Sequence, residues 1–142
     1  MKIKKLDNRA ILPRYAHEGD ACFDLFAIED VQWKYDNGIL TANVRTGWAV
    51  EVPEGYAMKV YSRSGHGFNF GVTLVNSTGI IDATYRGEVI VKLSSHNRTF
   101  DIEYGTKIAQ ACLVEVPKVF FDVVDELSDS KRGASGFGST GM

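Results

Sequence analysis

The chain has 142 residues and a formal net charge of −2, with 16 basic and 18 acidic residues and a basic cluster at Lys2, Lys4 and Lys5. A chain of this length can bury roughly 68% of its unfolded surface in one domain, enough for a hydrophobic core without disulfides. The near-balanced charge argues against a nucleic-acid polymer as a partner.

The cysteines and the apolar segments indicate the compartment. Cys22 and Cys112 are far apart in the sequence and lie in no paired metal-binding spacing, which favours two packing residues in a reducing compartment. No apolar stretch approaches the ~18 residues of a membrane-spanning helix, and the basic N-terminus is not followed by the hydrophobic region of a signal peptide. We therefore expect a cytoplasmic protein with no membrane partner.

Short alternating or β-branched runs recur along the chain, and no window sustains helical periodicity with caps at both ends. This pattern predicts an all-β fold. The first turn signal is Asp36-Asn37-Gly38, which separates strand-like runs at 31–35 and 39–44. Asn-Gly between two such runs predicts a hairpin.

A second hairpin is predicted where Pro53-Glu54-Gly55 separates the runs 48–52 and 56–61, since the proline presets φ and the glycine accepts a positive φ. The apolar runs 89–93 and 119–124 are expected to be the densest core strands, buried on both faces in places. The run 107–116 could begin a helix, but its shortness and Pro117 favour a strand.

The glycine-rich C-terminus combines backbone freedom with groups that recognise nucleotides. Ordering each residue costs roughly 1–2 kcal/mol, so four glycines between Lys131 and Met142 favour mobility. Arg132, Ser139 and Thr140 could bind phosphate, and Phe137 could stack on a base for about 1–3 kcal/mol. The segment is therefore either a disordered terminus or a tail that closes over a nucleotide.

Polar segments between the predicted strands carry further chemistry. Asp24 lies between Phe23 and Leu25. Side chains alternate along a strand, so Asp24 should project from the face opposite these two apolar residues. Ser62-Arg63-Ser64-Gly65 combines hydroxyls, a guanidinium and a glycine in a composition suited to phosphate. Asp82 precedes Tyr85 by three residues in a glycine-closed turn, where a carboxylate could take a proton from water and a ring could face a sugar.

Taken together, these segments resemble the trimeric dUTP pyrophosphatase family from about Ala16 to the C-terminus. Five motifs appear in the family's order, and their succession is far more specific than any one of them. They are Asp20 to Leu25, Arg63-Ser64-Gly65, Asn76 to Gly87, Gly105 to Gln110, and Arg132 to Gly141.

The resemblance implies a jelly-roll-like β barrel of the dUTPase-like, or β-clip, type. It also implies a homotrimer in which the C-terminal tail is swapped and each active site is assembled from all three subunits. We expect residues 1–127 to form the barrel and residues 128–142 to form a flexible tail that closes over the site.

The resemblance implies that the substrate is dUTP and that the products are dUMP and pyrophosphate. Asp82 would be the general base that activates the water attacking the α-phosphorus. Tyr85 would pack against deoxyribose and exclude a 2′-hydroxyl. Asn76 and the hairpin backbone around Gly79 would read the edge of uracil and exclude a thymine methyl.

By the same resemblance, the triphosphate would be held by two sets of residues. One set, from the barrel, is Arg63, Ser64, Gly65 and Gln110, with Ser64 near the oxygen that bridges the α- and β-phosphates. The other set, from the tail, is Arg132, Gly138, Ser139 and Thr140, with Phe137 stacked on uracil. Mg²⁺ would be chelated mainly by the triphosphate, and Asp24 would contact it through ordered water.

Some positions depart from the family pattern. Ser62 replaces a usual proline, Cys22 and Ser135 replace common glycines, and Thr84 replaces a second aspartate beside Asp82. None of these changes removes a proposed catalytic or phosphate-contacting group, so altered rates are expected rather than inactivity.

The histidines are His17, His66 and His96. They form no metal-binding spacing and are expected to be surface or turn residues.

Two alternative functions remain open from the sequence. A dCTP deaminase of the same superfamily would share the trimer and the nucleotide, but it would have no reason to keep the motif from Arg132 to Gly141. A nucleotide-binding regulatory protein would bind the same ligand, with hydrolysis incidental to its role.

Overall fold

The computed structural model describes residues 1–136. Four residues expected to bind substrate, Phe137, Gly138, Ser139 and Thr140, lie outside this range. Within it, no helix is long and apolar enough to cross a membrane.

The described residues form nine strands and one short helix. In chain order they are β1 (Lys2–Lys5), β2 (Phe23–Phe26), β3 (Lys34–Asp36), β4 (Ile39–Glu51), β5 (Tyr56–Tyr61), α1 (Ser64–Phe70), β6 (Thr73–Leu74), β7 (Thr78–Ile81), β8 (Glu88–Ser95) and β9 (Lys107–Glu115).

The strands form two antiparallel sheets. In the first sheet the order is β1-β4-β8-β6, and β3 also pairs with β4. In the second sheet the order is β2-β9-β5-β7. The prediction of an all-β, jelly-roll-like fold is therefore confirmed.

The core lies between the sheets and is built by alternation along the strands. In β8, Val89, Val91 and Leu93 are buried while Ile90 is 56% exposed. This strand is thus buried on one face only within the single chain, and not on both as its apolar composition suggested. Residues from both sheets complete the core, among them the fully buried Trp48.

The first predicted hairpin is confirmed. Strands β3 and β4 pair with Asp36 opposite Ile39, and the connecting residues Asn37 and Gly38 have φ angles of 47° and 88°. Positive φ at both central residues is the signature of the type I′ turn, whose twist matches that of the flanking strands.

The second predicted hairpin is wrong, although its turn is present. Tyr56 N–H donates to the Pro53 carbonyl at 3.2 Å, but β4 and β5 belong to different sheets. Near Ala49, β4 already pairs with β1 on one edge and with Glu88 of β8 on the other. A strand has only two edges, so β5 crosses to the other sheet and pairs with β7 and β9.

The predicted strand at 107–116 is confirmed as β9, whereas the predicted core strand at 119–124 is wrong for the single chain. Residues 116–136 contain no strand or helix, and Phe120 and Phe121 are 93% and 92% exposed. The apolar composition was read correctly, but this segment pairs with no strand among residues 1–136.

Helix α1 was not anticipated from the sequence. It spans seven residues that include Gly65 and Gly67, and glycine is a poor helix former. The helix ends where Gly71 takes a left-handed φ of 65° and Gly71 N–H and Val72 N–H donate to the carbonyls of Gly67 and His66. Such a glycine-based cap is a common helix terminus, so tertiary context and the cap outweigh the weak propensity.

Both cysteines are free and half-buried. They are distant in sequence but close in the fold, because Cys22 precedes Phe23, which pairs with Ala111 in β9. Burial raises the pKa of the Cys22 thiol, and the adjacent Cys112 thiol raises it further.

Candidate active site

A buried carboxylate with two cations lies on the outer face of the second sheet. Asp24 in β2 is only 8% exposed, and its Oδ2 lies 2.7 Å from Lys107 Nζ. Its other oxygen, Oδ1, lies 3.3 Å from Arg63 Nε. Because one carboxylate faces two cations, the cluster keeps a positive charge that suits an anionic ligand.

Arg63 is the residue immediately before helix α1. Its backbone is extended, with φ −83° and ψ 132°, and its carbonyl accepts the N–H groups of His66 and Gly67, each at 3.1 Å. No side chain caps the start of this helix. Ser64 and Gly65 are exposed, and as the first residues of the helix they have backbone N–H groups that no partner within the helix accepts.

The loop before α1 is held by two side chains. Ser62 Oγ accepts the Leu74 N–H at 2.9 Å, which ties the loop to β6. Gln110 Nε2 donates to the Ser62 carbonyl at 3.2 Å, and Gln110 is paired with Asp24 across β2 and β9. Ser62, which departs from the family's usual proline, thus has a bonding role of its own in this chain.

A second feature is a mainly apolar cavity of about 390 Å³ between β7 and β8. Asn76, Gly79 and Tyr85 line it. A Cβ placed on Gly79 would come within 3.1 Å of Val60 Cβ, so the lack of a side chain lets β7 pack closely against Val60 of β5. Three of the residues that were expected to contact uracil and deoxyribose therefore line one cavity.

Asp82 lies just beyond the end of β7 and is exposed. Its carbonyl accepts the Tyr85 N–H at 3.1 Å, which closes the turn that follows β7. Asp82 lines a separate hollow of about 550 Å³ with Thr84 and Arg86. Within one chain the proposed base therefore lies outside the cavity that holds Asn76 and Tyr85.

The expected site is thus divided within the described residues. Asp24, Arg63 and Gln110 are grouped at one place, and Asn76, Gly79 and Tyr85 at another. Arg132 is with neither group, since its Nε donates to the nearby Ser135 carbonyl at 2.9 Å and the surrounding residues are exposed.

Comparison with known proteins identifies the family. A family model described as dUTPase matches residues 8–141, nearly the whole chain. The chain belongs to the dUTPase family.

Relatives and solved structures of dUTPases align with it over almost their full length. The deoxyuridine 5'-triphosphate nucleotidohydrolase of Picosynechococcus sp. is 44% identical and covers 99% of this chain and 98% of its own length. The one from Clostridium acetobutylicum is 45% identical, with coverages of 100% and 97%. The dUTPase of Staphylococcus bacteriophage 80alpha, solved with dUPNHPP, has a TM-score of 0.85 and 29% identity over 99% of this chain and 98% of its own.

Two residues near the dUTPase motifs were missed or misread from the sequence. Lys107 was not expected at the site, although it belongs to the fourth motif, and only the pairing of β2 with β9 brings it to Asp24. His66 was expected at the surface or in a turn, yet it is half-buried in α1 and bonds to Arg63 at 3.2 Å. Predicting the helix would have revealed this contact, because the residue before a helix lies close to the third residue of its first turn.

The residues present fit a metal bound through the substrate better than a metal held by the protein. Within residues 1–136, no group of three His, Cys, Asp or Glu side chains could hold a metal ion. A Mg²⁺ bound directly to Asp24 would compete with Arg63 and Lys107 for its oxygens. A contact through water needs only the charge of the carboxylate.

Proposed function

We propose that this protein hydrolyses dUTP to dUMP and pyrophosphate, which limits uracil incorporation into DNA and supplies dUMP for thymidylate synthesis. Membership in the dUTPase family is the observation that carries the proposal. The relatives are named as dUTP nucleotidohydrolases, so a dCTP deaminase is not favoured, and neither is a binder without catalysis.

The base and sugar would be recognised in the cavity between β7 and β8. Its mainly apolar lining suits a flat pyrimidine, and Asn76 offers an amide that can both donate and accept. Gly79 has no side chain, so its backbone can approach the base closely. Tyr85 lies at the same cavity, where its ring would pack against deoxyribose and leave no room for a 2′-hydroxyl.

The triphosphate would be bound by the positive cluster at Arg63. The guanidinium and the N–H groups of Ser64 and Gly65 are donors that suit phosphate oxygens, and Gln110 adds an amide. When bound with the triphosphate, Mg²⁺ would offset negative charge on the phosphates. Asp24 would contact that ion through water, while Lys107 and Arg63 hold the carboxylate in place.

In the reaction, Asp82 accepts a proton from the attacking water, whose oxygen forms the new bond to the α-phosphorus. The bond from that phosphorus to the α,β-bridging oxygen breaks, and pyrophosphate leaves. Ser64 lies near the departing oxygen, where negative charge develops and a hydrogen-bond donor is most effective. Asp82 is exposed at the end of β7, so a water molecule can reach it.

We also propose that the site is completed by a homotrimer with a swapped C-terminal tail. The separation of Asp82 from the Asp24–Arg63 cluster supports this, because residues from different copies could then meet at one substrate. The exposed apolar side chains of Phe120 and Phe121 are a second support, since they gain from burial against another copy. Residues 1–127 would form the barrel, and residues 128–142 would close over a neighbouring site.

The test is product analysis by chromatography after incubation with Mg²⁺ and, separately, dUTP, dCTP, dTTP and UTP. Selective conversion of dUTP to dUMP and pyrophosphate is expected. Ammonia release from dCTP would point to a deaminase. Binding of dUTP with no turnover of any nucleotide would point to a regulatory protein.

A further inference from the structure

The guanidinium of Arg63 is held from two sides by its own chain. Nε faces Asp24 Oδ1 at 3.3 Å, and Nη1 lies 3.2 Å from Nε2 of His66. A guanidinium is planar and carries five N–H donors, so contacts at two of its nitrogens fix its plane and leave other donors available. Asp24 alone would leave the group free to rotate about that single contact.

The contact between Arg63 and His66 determines the state of the histidine ring. Arginine can only donate, so Nε2 must be the unprotonated, accepting nitrogen, and the proton of the neutral ring is then on Nδ1. Burial, together with the charge of Arg63, lowers the pKa of His66 to about 4. The ring is therefore neutral near pH 7 and can act as the acceptor.

The other nitrogen of the ring has no such partner. His66 Nδ1 is buried and makes no hydrogen bond within residues 1–136. A buried donor without a partner is unfavourable, so a histidine is not the residue that packing alone would select here. This points to a role for the accepting nitrogen.

Aromatic packing holds the ring in position independently of Arg63. The ring of His66 lies 4.1 Å from the ring of Phe100, at an angle of 36°. Phe100 in turn contacts Phe70 and Trp33, and Trp33 Nε1 donates to the Phe100 carbonyl at 2.9 Å. The acceptor is thus fixed to the body of the fold rather than to a mobile side chain.

We propose that His66 is a positioning residue that orients the Arg63 guanidinium toward the phosphates of the substrate. It acts through Arg63 and does not itself touch substrate. The proposal rests on the proposed dUTP hydrolysis, in which Arg63 binds phosphate.

The experiment is a double-mutant cycle with His66→Phe and Arg63→Gln in the full-length protein. Phenylalanine keeps a ring against Phe100 but removes the acceptor. We expect His66→Phe to lower kcat/KM for dUTP by about 10- to 100-fold, because small misplacements of binding groups have effects of this size. Adding it to Arg63→Gln should have little further effect, because the partner it orients is already gone.

Thermal unfolding separates this role from a structural one. His66→Phe removes the unpaired Nδ1–H, so its midpoint should equal or exceed that of the wild type while activity falls. His66→Gln, whose amide oxygen can accept from Arg63, should keep kcat/KM within a few-fold of the wild type. Additive effects in the cycle, wild-type activity in His66→Phe, or a tenfold loss in folded His66→Gln would each overturn the proposal.

Calorimetric binding of α,β-imido-dUTP tests the inference without turnover. Weaker binding by His66→Phe than by the wild type supports it, and equal binding contradicts it. A wild-type protein that binds this analogue but does not hydrolyse dUTP would refute the proposed function. The difference in binding between wild type and His66→Phe would still show whether His66 orients Arg63.

Discussion

Gly87 lies beneath the phenol ring of Tyr85, so a side chain at this position would displace the ring. A Cβ at Gly87 would lie 2.6 Å from Cζ of Tyr85, well inside van der Waals contact. The ring is also held by its hydroxyl, which donates to the Glu88 carbonyl at 2.9 Å. The turn after β7 thus fixes the ring that lines the cavity between β7 and β8, where we propose that the sugar binds.

Gly87→Ala should therefore displace the Tyr85 ring and weaken the exclusion of ribose. We expect the ratio of kcat/KM for dUTP to that for UTP to fall by about tenfold or more, which corresponds to roughly 1.4 kcal/mol of discrimination. Steady-state kinetics with both nucleotides measure it. Tyr85→Phe is the matched comparison, because it keeps the ring over Gly87 and loses only the hydroxyl contact with Glu88, so its discrimination should fall less than that of Gly87→Ala. Unchanged discrimination between dUTP and UTP in Gly87→Ala would show that the position of the Tyr85 ring does not select the sugar.

Asp82→Asn should suppress turnover while leaving affinity intact. The amide keeps the size of the carboxylate but cannot take a proton from water, and general bases contribute about 10²- to 10⁴-fold to rates. We expect kcat to fall by that order and the Kd for α,β-imido-dUTP to change by less than threefold or so. Thr84→Ala is a control in the same turn and should stay active. Wild-type turnover in Asp82→Asn would remove it from the role of base.

Deletion of residues 132–142 should slow catalysis without unfolding the barrel. Residues 116–136 are exposed in the chain and add no strand to either sheet, so the core does not depend on them. The expected result is a large loss of kcat/KM for dUTP with a thermal midpoint within a few degrees of the wild type. If the midpoint collapsed instead, the tail would be structural rather than a closing element.

Phe121→Asp should disrupt assembly. The side chain is 92% exposed in the single chain, so a charge costs nothing there and is unfavourable only if the ring is buried against another copy. Light scattering should give the wild type a mass of three times the 15.7 kDa chain and give the variant a smaller one. Lys118→Asp, two residues before the apolar pair, controls for charge alone. A monomeric wild type, or a variant that stays trimeric, would count against the swapped trimer.

The titration of His66 predicts how stability depends on pH. Its pKa is lowered from 6.5 to about 4 in the folded protein, because of burial and then the charge of Arg63. Between these values the unfolded state binds a proton that the folded state does not. This contribution to stability is thus present above pH 6.5 and is lost as the pH falls toward 4.

Urea unfolding of wild type and His66→Phe at pH 7.5 and pH 5 measures this effect. The wild type should lose more stability than the variant between the two pH values, because carboxylates shared by both proteins cancel in the comparison. Parallel losses would mean that folding does not lower the pKa of His66.

Local patterns in the sequence were enough to predict several elements. The Asn37-Gly38 turn predicted the hairpin between β3 and β4, and the run at 107–116 predicted β9. The order of the five motifs indicated the family, which the match over residues 8–141 confirms. These features could be predicted because turn chemistry, alternation and motif order are all carried by neighbouring residues.

The tertiary structure alone decided which strands pair and which side chains meet. The turn at Pro53 looked like a hairpin, but both edges of β4 were already occupied, so β5 joined the other sheet. The run at 119–124 was apolar enough for a core strand, yet it pairs with no strand in the described part of the chain. His66 meets Arg63 only because a glycine-rich segment forms a helix against Phe100. Each of these outcomes depends on contacts between distant parts of the chain, and local periodicity carries no information about them.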